Sequence, residues 1–441
     1  MSATAVVLAA GLGTRMKSAL PKACHPIAGQ PMLRHLIAAV ATAFDRIVVV
    51  VGPDMPELAA LAAPHPVVVQ RERLGTAHAA LQAADLFGEG EVAVLYADNP
   101  LVTPQTFAGL LARRRRGDVG LALLAMRPDD PGRYGRVIGA DGFVERIVEW
   151  ADASEAERAV GLCNAGVLCA PAARMAAWLR AVRSDNAKGE YYLTDVVALA
   201  RADGERVAAV EAPFEELRGI NSRAELAEAE AVVQRRLRAA ALEAGVTMTA
   251  PETVFLAADT RLAADVVIGP NVVFGPGVSV ESGVEIHAFS HLVGCHVRAG
   301  AVVGPFARLR PGADVGAGAH VGNFVELKNT VLGDGAKANH LSYLGDAEIG
   351  ARTNIGAGTI TCNYDGFAKH RTRIGAGVFV GSDAVLVAPL TVGDGAFIAA
   401  GSVITEAVAA DAMAFGRARQ ESKPGRAAAF RAAAAAKKEK R

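Results

Sequence analysis

Ile268-Gly-Pro-Asn-Val-Val-Phe274-Gly-Pro-Gly-Val-Ser-Val280-Glu-Ser-Gly-Val-Glu-Ile286 decides the fold of the second half of this chain. A large apolar residue returns at every sixth position and does so again at Leu292. The same step governs Val297, Val303, Leu309, Val315, Val321 and Leu327, and later Ile374, Val380, Leu386, Val392 and Ile398. Glycine often follows directly, and a small residue sits four further on. Such hexads predict short strands that turn at glycine corners and stack their aliphatics into one continuous core, a parallel β-helix. An ordinary β-sandwich would not sustain the repeat through so many units.

The repeat is interrupted twice, and a residue not needed for stacking is free to meet a ligand. Between Leu327 and Ile349 lie Lys328-Asn329-Thr330 and Asn339-His340-Leu341-Ser342-Tyr343. Between Thr361 and Ile374 the chain jumps thirteen residues through Cys362-Asn363-Tyr364-Asp365-Gly366-Phe367-Ala368-Lys369. A neutral imidazole among amides, a phenol and a lysine suits removal of a proton from an amine near a phosphate. A satisfied surface or interface histidine is the plainer account of His340.

Upstream, Ser222 to Ala244 is alanine-rich, ends at Gly245 and carries Ser222 and Glu225 in capping-box spacing, which predicts a helical connector. Before about residue 219 the apolar runs Ile47–Val51, Val67–Val69, Val92–Tyr96 and Gly120–Ala125 alternate with helix-like stretches such as Gly75–Leu86. That order predicts a mostly parallel sheet with helices on both faces, which binds ligands beyond its C-terminal strand edge. Gly11 and Asp98 each follow a strand directly, so both fall on that edge.

The apolar run Ala5 to Ala10 passes into Gly11-Leu12-Gly13-Thr14-Arg15-Met16 and then Leu20-Pro21-Lys22. Glycines admit backbone N–H groups to a triphosphate, and Arg15 and Lys22 neutralise its charge. The spacing is neither a Walker loop nor a dinucleotide fingerprint, and an ordinary strand-to-helix turn would use the same residues. Asp98, in Tyr96-Ala97-Asp98-Asn99-Pro100, can hold Mg²⁺ on nucleotide phosphates or simply cap a turn. The Arg113–Arg116 run reads as a solvated helix face.

Lysine plus arginine equal aspartate plus glutamate at 46 each over 441 residues, so no global field recruits nucleic acid or an anionic membrane, and small molecules are the expected partners. Cys24, Cys163, Cys169, Cys295 and Cys362 are scattered, without C-x-x-C spacing, as in reduced cytosolic thiols. The N-terminal apolar run lacks a basic n-region and is too short to span a bilayer, so a cytoplasmic chain is expected. The expected divisions are 1–220, a linker helix at 221–245, a β-helix at 246–425 and a flexible tail at 426–441.

Leu8-Ala9-Ala10-Gly11-Leu12-Gly13-Thr14-Arg15-Met16 with Pro21-Lys22, then Gln70, Leu74-Gly75-Thr76, Tyr134-Gly135-Arg136, Ile147-Val148-Glu149 and Gly189-Glu190-Tyr191-Tyr192, resemble the sugar-1-phosphate nucleotidylyltransferases. Gly304-Pro305-Phe306-Ala307-Arg308-Leu309-Arg310-Pro311-Gly312, His320-Val321-Gly322-Asn323-Phe324-Val325-Glu326 and Ile355 to Gly366 narrow the likeness. They are similar to the bacterial bifunctional family that joins N-acetylglucosamine-1-phosphate uridylyltransferase to glucosamine-1-phosphate acetyltransferase. The resemblance covers nearly everything except the tail. It implies a Rossmann-like nucleotidyltransferase domain, a long linker helix and a left-handed β-helix that assembles as a homotrimer, with the acetyl-transfer site shared between chains.

For uridylyl transfer the resemblance implies that Gly11, Gly13, Arg15 and Lys22 hold UTP phosphates, with Leu8 in the same substrate set. Gln70, Gly75 and Thr76 would read uracil, and Gly135, Glu149 and Asn164 would hold N-acetylglucosamine-1-phosphate. Asp98 and Asn221 would ligate Mg²⁺. For acetyl transfer it implies His340 as general base toward glucosamine-1-phosphate, positioned by Asn363. Arg310, Lys328, Tyr343, Asn354, Tyr364 and Lys369 would bind the sugar phosphate, and Ala357, Ser382, Ala400 and Arg417 would lie along acetyl-CoA. Ala97, Asn99, Ala77 and Ala165 depart from the family's usual glycine, apolar residue, glycine and threonine, which puts uridylyl efficiency in question by about 1 to 2 kcal/mol each. The alternative is a nucleotidylyltransferase for another sugar or base whose β-helix only oligomerises, or a non-catalytic trimeric subunit.

Overall fold

Alternate residues of the first strand, Ala3–Leu8, serve two different cores, as a pleated strand inside a three-layer fold requires. Ala3, Ala5 and Val7 face Leu33, Leu36 and Val40 of the helix Met32–Val40 and Phe107, Leu110 and Leu111 of the helix Pro104–Arg115. Val6 and Leu8 face Ala77, Ala80, Met175, Trp178 and Val196 on the other side. The computed structural model describes residues 2–140 and 142–439, divided into two compact units: Met1–Ala239 with Leu256–Ala258, and Ala240–Phe255 with Asp259–Arg441.

The sheet of the first unit has nine strands. Val67–Val69, Arg46–Val51, Ala3–Leu8 and Glu91–Tyr96 are parallel throughout, as the alternating pattern predicts. Beyond them Cys163–Pro171 enters antiparallel between Glu91–Tyr96 and Leu121–Met126, so the whole sheet is mixed rather than mostly parallel. The difference arises because Cys163–Pro171 and the hairpin Arg136–Ala140/Phe143–Val148 return without a helical crossover. The stretch Gly75–Leu86 forms a helix at Thr76–Leu81 and a separate 3-10 turn at Ala84–Leu86.

The predicted connector is a helix from Arg223 to Glu243. Its first half is no bare spacer: Ala229, Val232 and Val233 pack on Ile27, Met32, Leu101 and Ile220. Gln234 clasps the Leu256 backbone through two hydrogen bonds, 2.7 and 2.9 Å. The capping box is realised with a shift. Ser222 Oγ accepts from Glu225 N (3.2 Å), while the Glu225 carboxylate accepts from the backbone N–H of Asn221 (2.6 Å) instead of Ser222.

In the second unit three parallel sheets of ten, eight and eight short strands form the faces of a prism. Each coil visits the first, second and third face in turn, so Ile268, Phe274 and Val280 lead to Ile286 above Ile268. Every hexad residue named above is buried to at least 96%. The first expected interruption is not one. Leu332, Ala338, Leu344, Ile349 and Ile355 carry the buried column straight through it, with five residues instead of six on the sides after Leu327 and Leu344. The second is real, and residues 363–371 leave the prism between the second and third faces. The expected tail contains a solvent-exposed helix, Arg426–Glu439, and its last two residues lie outside the described residues.

Candidate functional site

The first site grows from the end of Ala3–Leu8. Gly13 stands at φ 63°, and a Cβ there would lie 2.6 Å from Lys22 Cβ, so only glycine lets the turn close on this lysine. Lys22 Nζ then donates to Asp98 Oδ2 (2.5 Å) and Asn221 Oδ1 (3.0 Å), and Arg15 Nη2 donates to the same Asn221 oxygen (2.8 Å). Asp98 follows the strand Glu91–Tyr96, and its carbonyl accepts from Ile220 N (2.9 Å), which brings Asn221 alongside. Four residues scattered over the sequence thus share one point.

Gln70 is buried, and its Nε2 donates to the Gly75 carbonyl (3.0 Å), tying two of the expected uracil readers together. Thr76 Oγ1 accepts from Leu193 N (2.9 Å). The third group also gathers. Gly135 O accepts from Asn164 N (2.8 Å), and a Cβ on Gly135 would lie 3.5 Å from both Glu149 oxygens. Burial raises the Glu149 carboxyl above its usual range, opposed by a hydrogen bond from Thr194 Oγ1 (3.1 Å). Leu8 contributes no free carbonyl, because its oxygen accepts from Ala97 N (3.0 Å). The departure Asn99 is a satisfied buried amide that donates to Leu217 O (2.6 Å). Tyr96, half-buried at the end of its strand, has its phenol pushed up by desolvation, then by the Glu149 carboxylate and less by Asp98; sequence reading did not single it out.

The second site lies on the prism. Asn323 and His340 are register partners on the first face, and the His340 Nδ1 to Asn323 Oδ1 distance is 2.6 Å. Both stand where the chain turns toward the second face. One coil further on the same position is Ala357, then Ser382, then Ala400. Each is joined to the next by a backbone bond: Gly358 N to His340 O, Asp383 N to Ala357 O and Gly401 N to Ser382 O. Arg417 Cδ lies 3.7 Å from where a Gly401 Cβ would be, so it closes the same column.

Across the second face a charged cluster lines the corner toward the third. Arg310 Nη1 donates to Glu326 Oε1 (2.8 Å), and Lys328 Nζ donates to both Asp346 oxygens (2.9 and 3.0 Å). Asn329 (2.7 Å) and Asn363 (2.5 Å) also donate to Asp346. Burial alone would raise that carboxyl, but hydrogen bonds from Asn329, Lys328 and Asn363 bring it down to about 2. Tyr343 leans over Gly345, where a Cβ would lie 2.7 Å from Tyr343 Cζ and 2.8 Å from Asn363 Nδ2. Lys369 belongs to the inserted loop, where Tyr364 Oη donates to Gly366 O (2.6 Å).

Two expected placements change. The amide of Asn363 is spent on Asp346, and the side chain that holds His340 is Asn323, one coil earlier. Asn354 stands on the outward column of the first face, apart from Arg310, Lys328 and Tyr343 on and beyond the second. Sequence reading assigned no role to Asn323, Glu326 or Asp346, and the 17-residue step from Asn323 to His340 runs into the stretch expected to interrupt the repeat. Among the described residues no group of three or more His, Cys, Asp and Glu side chains could hold a metal ion.

The MobA-like NTP transferase domain family matches residues 5–187, and the six-repeat bacterial transferase hexapeptide family matches residues 371–406. The chain is 71% identical over 431 residues to the bifunctional protein GlmU of Acidiphilium cryptum, covering 98% of this chain and 99% of that one. It is 70% identical to the bifunctional protein GlmU of Gluconacetobacter diazotrophicus (99% and 96% covered) and 57% identical to that of Rhodospirillum rubrum (97% of each). A solved structure of UDP-glucose pyrophosphorylase complexed with UDP-glucose aligns at 18% identity and a TM-score of 0.46, covering 54% of this chain and all of that one.

Proposed function

The chain belongs to the GlmU family of bifunctional proteins, and from that premise we propose that it makes UDP-N-acetylglucosamine in two steps, one on each unit. The first unit is a Rossmann-like nucleotidyltransferase fold and the second a left-handed parallel β-helix. The β-helix moves an acetyl group from acetyl-CoA to the amine of glucosamine-1-phosphate. The first unit joins the product to UTP and releases pyrophosphate.

In acetyl transfer His340 takes the proton that the amine loses as its nitrogen attacks the thioester carbon; the carbon–sulfur bond breaks, the departing sulfur takes that proton from His340, and CoA leaves as the thiol. Lys328, Arg310 and Lys369 supply positive charge for the sugar phosphate, with Asp346 and Asn363 fixing the lysine end of the cluster. Acetyl-CoA lies along Ala357, Ser382 and Ala400, whose small side chains leave the corner unobstructed. Asn354, set on another face, fits a site completed by a neighbouring copy in a homotrimer.

In uridylyl transfer Lys22 and Arg15 receive the triphosphate, Gln70, Gly75 and Thr76 the base, and Gly135, Glu149 and Asn164 the sugar. The sugar phosphate attacks the α-phosphorus in line, with position and charge as the protein's whole contribution. Asp98 and Asn221 suit Mg²⁺, because a carboxylate and an amide oxygen are hard donors and both already address one cation, Lys22. When bound, the ion offsets charge on the nucleotide phosphates. No helix among the described residues is long and apolar enough to cross a membrane, and the reading places the enzyme in the cytoplasm with its soluble substrates.

The observation that carries this reading is the corner column, a histidine followed by three small residues at one per coil, since a passive oligomerising prism has no use for it. The test is to incubate the protein with glucosamine-1-phosphate, acetyl-CoA, UTP and Mg²⁺ and follow free thiol and pyrophosphate separately. Both are expected. Pyrophosphate only from pre-acetylated sugar would favour the passive β-helix.

A further inference from the structure

We propose that Asn323 is a positioning residue for acetyl transfer: its side-chain oxygen holds the hydrogen of His340 on Nδ1 and turns the Nε2 lone pair toward the substrate amine. This rests on His340 being the base. His340 is exposed, so packing does not fix its ring, and Asn323 Oδ1 at 2.6 Å from Nδ1 is the side-chain partner that does. The pairing is built into the fold. Asn323 and His340 are register partners in adjacent coils, at the spacing of neighbouring strands, and the Leu341 N to Asn323 O bond (3.0 Å) locks the two coils together at this corner.

The choice of amide matters chemically. An imidazole with its hydrogen on Nδ1 presents Nε2 as the acceptor, whereas a ring with the hydrogen on Nε2 could not take the amine's proton there. An amide oxygen selects the first form without placing a negative charge beneath the ring. A carboxylate in its place would select the same form but stabilise the imidazolium, so the base would lie protonated to higher pH. The charged and titratable groups nearby are His320 on the first face, itself lowered by burial, then by His287, Lys337 and His340, and Glu326 and Tyr343 outward on the second face of the same two coils. All stay in place when Asn323 alone is changed.

The experiment compares full-length wild type, Asn323→Ala, Asn323→Asp and His340→Ala, measuring thiol release against pH, with uridylyl transfer in each sample as the check that the chain is folded. Asn323→Ala is expected to lower kcat roughly 10- to 100-fold with KM for glucosamine-1-phosphate little changed, the range seen when an orienting partner of a histidine is lost. Asn323→Asp is expected to recover part of kcat and to move the acid limb of kcat/KM up by about one pH unit or more. The substrate amine titrates identically in all samples, so the shift between variants belongs to the protein. Wild-type kcat in both Asn323 variants, or equal loss in both with an unmoved acid limb, overturns the assignment while His340→Ala remains inactive. Full activity in His340→Ala would instead overturn the reading of the base itself.

Discussion

The two units place their chemistry in opposite relation to regular structure. In the α/β unit the functional groups stand where strands end: Lys22 and Arg15 after Ala3–Leu8, Asp98 after Glu91–Tyr96, and Asn221 before the helix Arg223–Glu243. In the β-helix most stand on columns that never leave the repeat, with Asn323, His340, Ala357, Ser382 and Ala400 at one position of successive coils, and Asn363, Tyr364 and Lys369 come from the inserted loop. A loop gathers residues by bending. A solenoid gathers them by stacking, so each coil places one side chain at a spacing set by its backbone ladder. Function in a repeat therefore need not wait for the repeat to break.

The largest expected effect tests whether the two arrangements are independent. Asp98→Ala removes the carboxylate that meets Lys22 at 2.5 Å and should take uridylyl transfer below detection while acetyl transfer keeps its wild-type rate, measured as pyrophosphate and thiol release. Loss of both in a folded protein would break the division. His340→Ala is the converse: thiol release should fall about 10²- to 10⁴-fold, as general-base loss does, while CoA still binds and pre-acetylated sugar is still uridylylated.

How much of this was legible depended on the same contrast. The glycine turn and Asp98 could be read because their residues are contiguous motifs, and the prism because its period is six. Asn323, seventeen residues before His340, could be found only by converting the period into a column. The first expected interruption, from Leu327 to Ile349, reflects a change in side length from six to five that shifts the apolar phase without breaking the stack, since Ala338 and Leu344 remain fully buried. Asp346 was invisible for a different reason. Its value lies in three donors, Lys328, Asn329 and Asn363, that meet only when coils stack. The antiparallel entry of Cys163–Pro171 likewise depends on long-range pairing that local alternation does not encode.

An intermediate effect sharpens the stacking side of the contrast. Gly345 occupies the column position above Lys328, and a methyl group there would lie 2.7 Å from Tyr343 Cζ and 2.8 Å from Asn363 Nδ2. Gly345→Ala should displace both side chains and cut kcat/KM for glucosamine-1-phosphate by one to two orders of magnitude, in line with the roughly 100-fold loss that a 1 Å misplacement can cause, with uridylyl transfer unchanged. A wild-type value would mean that this column tolerates the crowding and that Tyr343 does not touch the substrate.

The smallest effect separates binding from stability on the α/β side. Glu149 is half-buried beside Gly135, and its partial desolvation holds its carboxyl above the usual range despite the hydrogen bond from Thr194. In acid the carboxyl is protonated in both folded and unfolded chains and costs nothing. As pH rises the unfolded chain ionises first, so folding loses stability until the folded value is passed, and the penalty is then constant. Glu149→Gln should therefore melt at a higher temperature than wild type at pH 7.5 and at the same temperature near pH 4. Its KM for the sugar phosphate in uridylyl transfer should rise about tenfold, the scale of one charged hydrogen bond. A variant that melts lower at neutral pH would show that ionised Glu149 is paired within the fold, and a stable variant with unchanged KM would remove it from the sugar site.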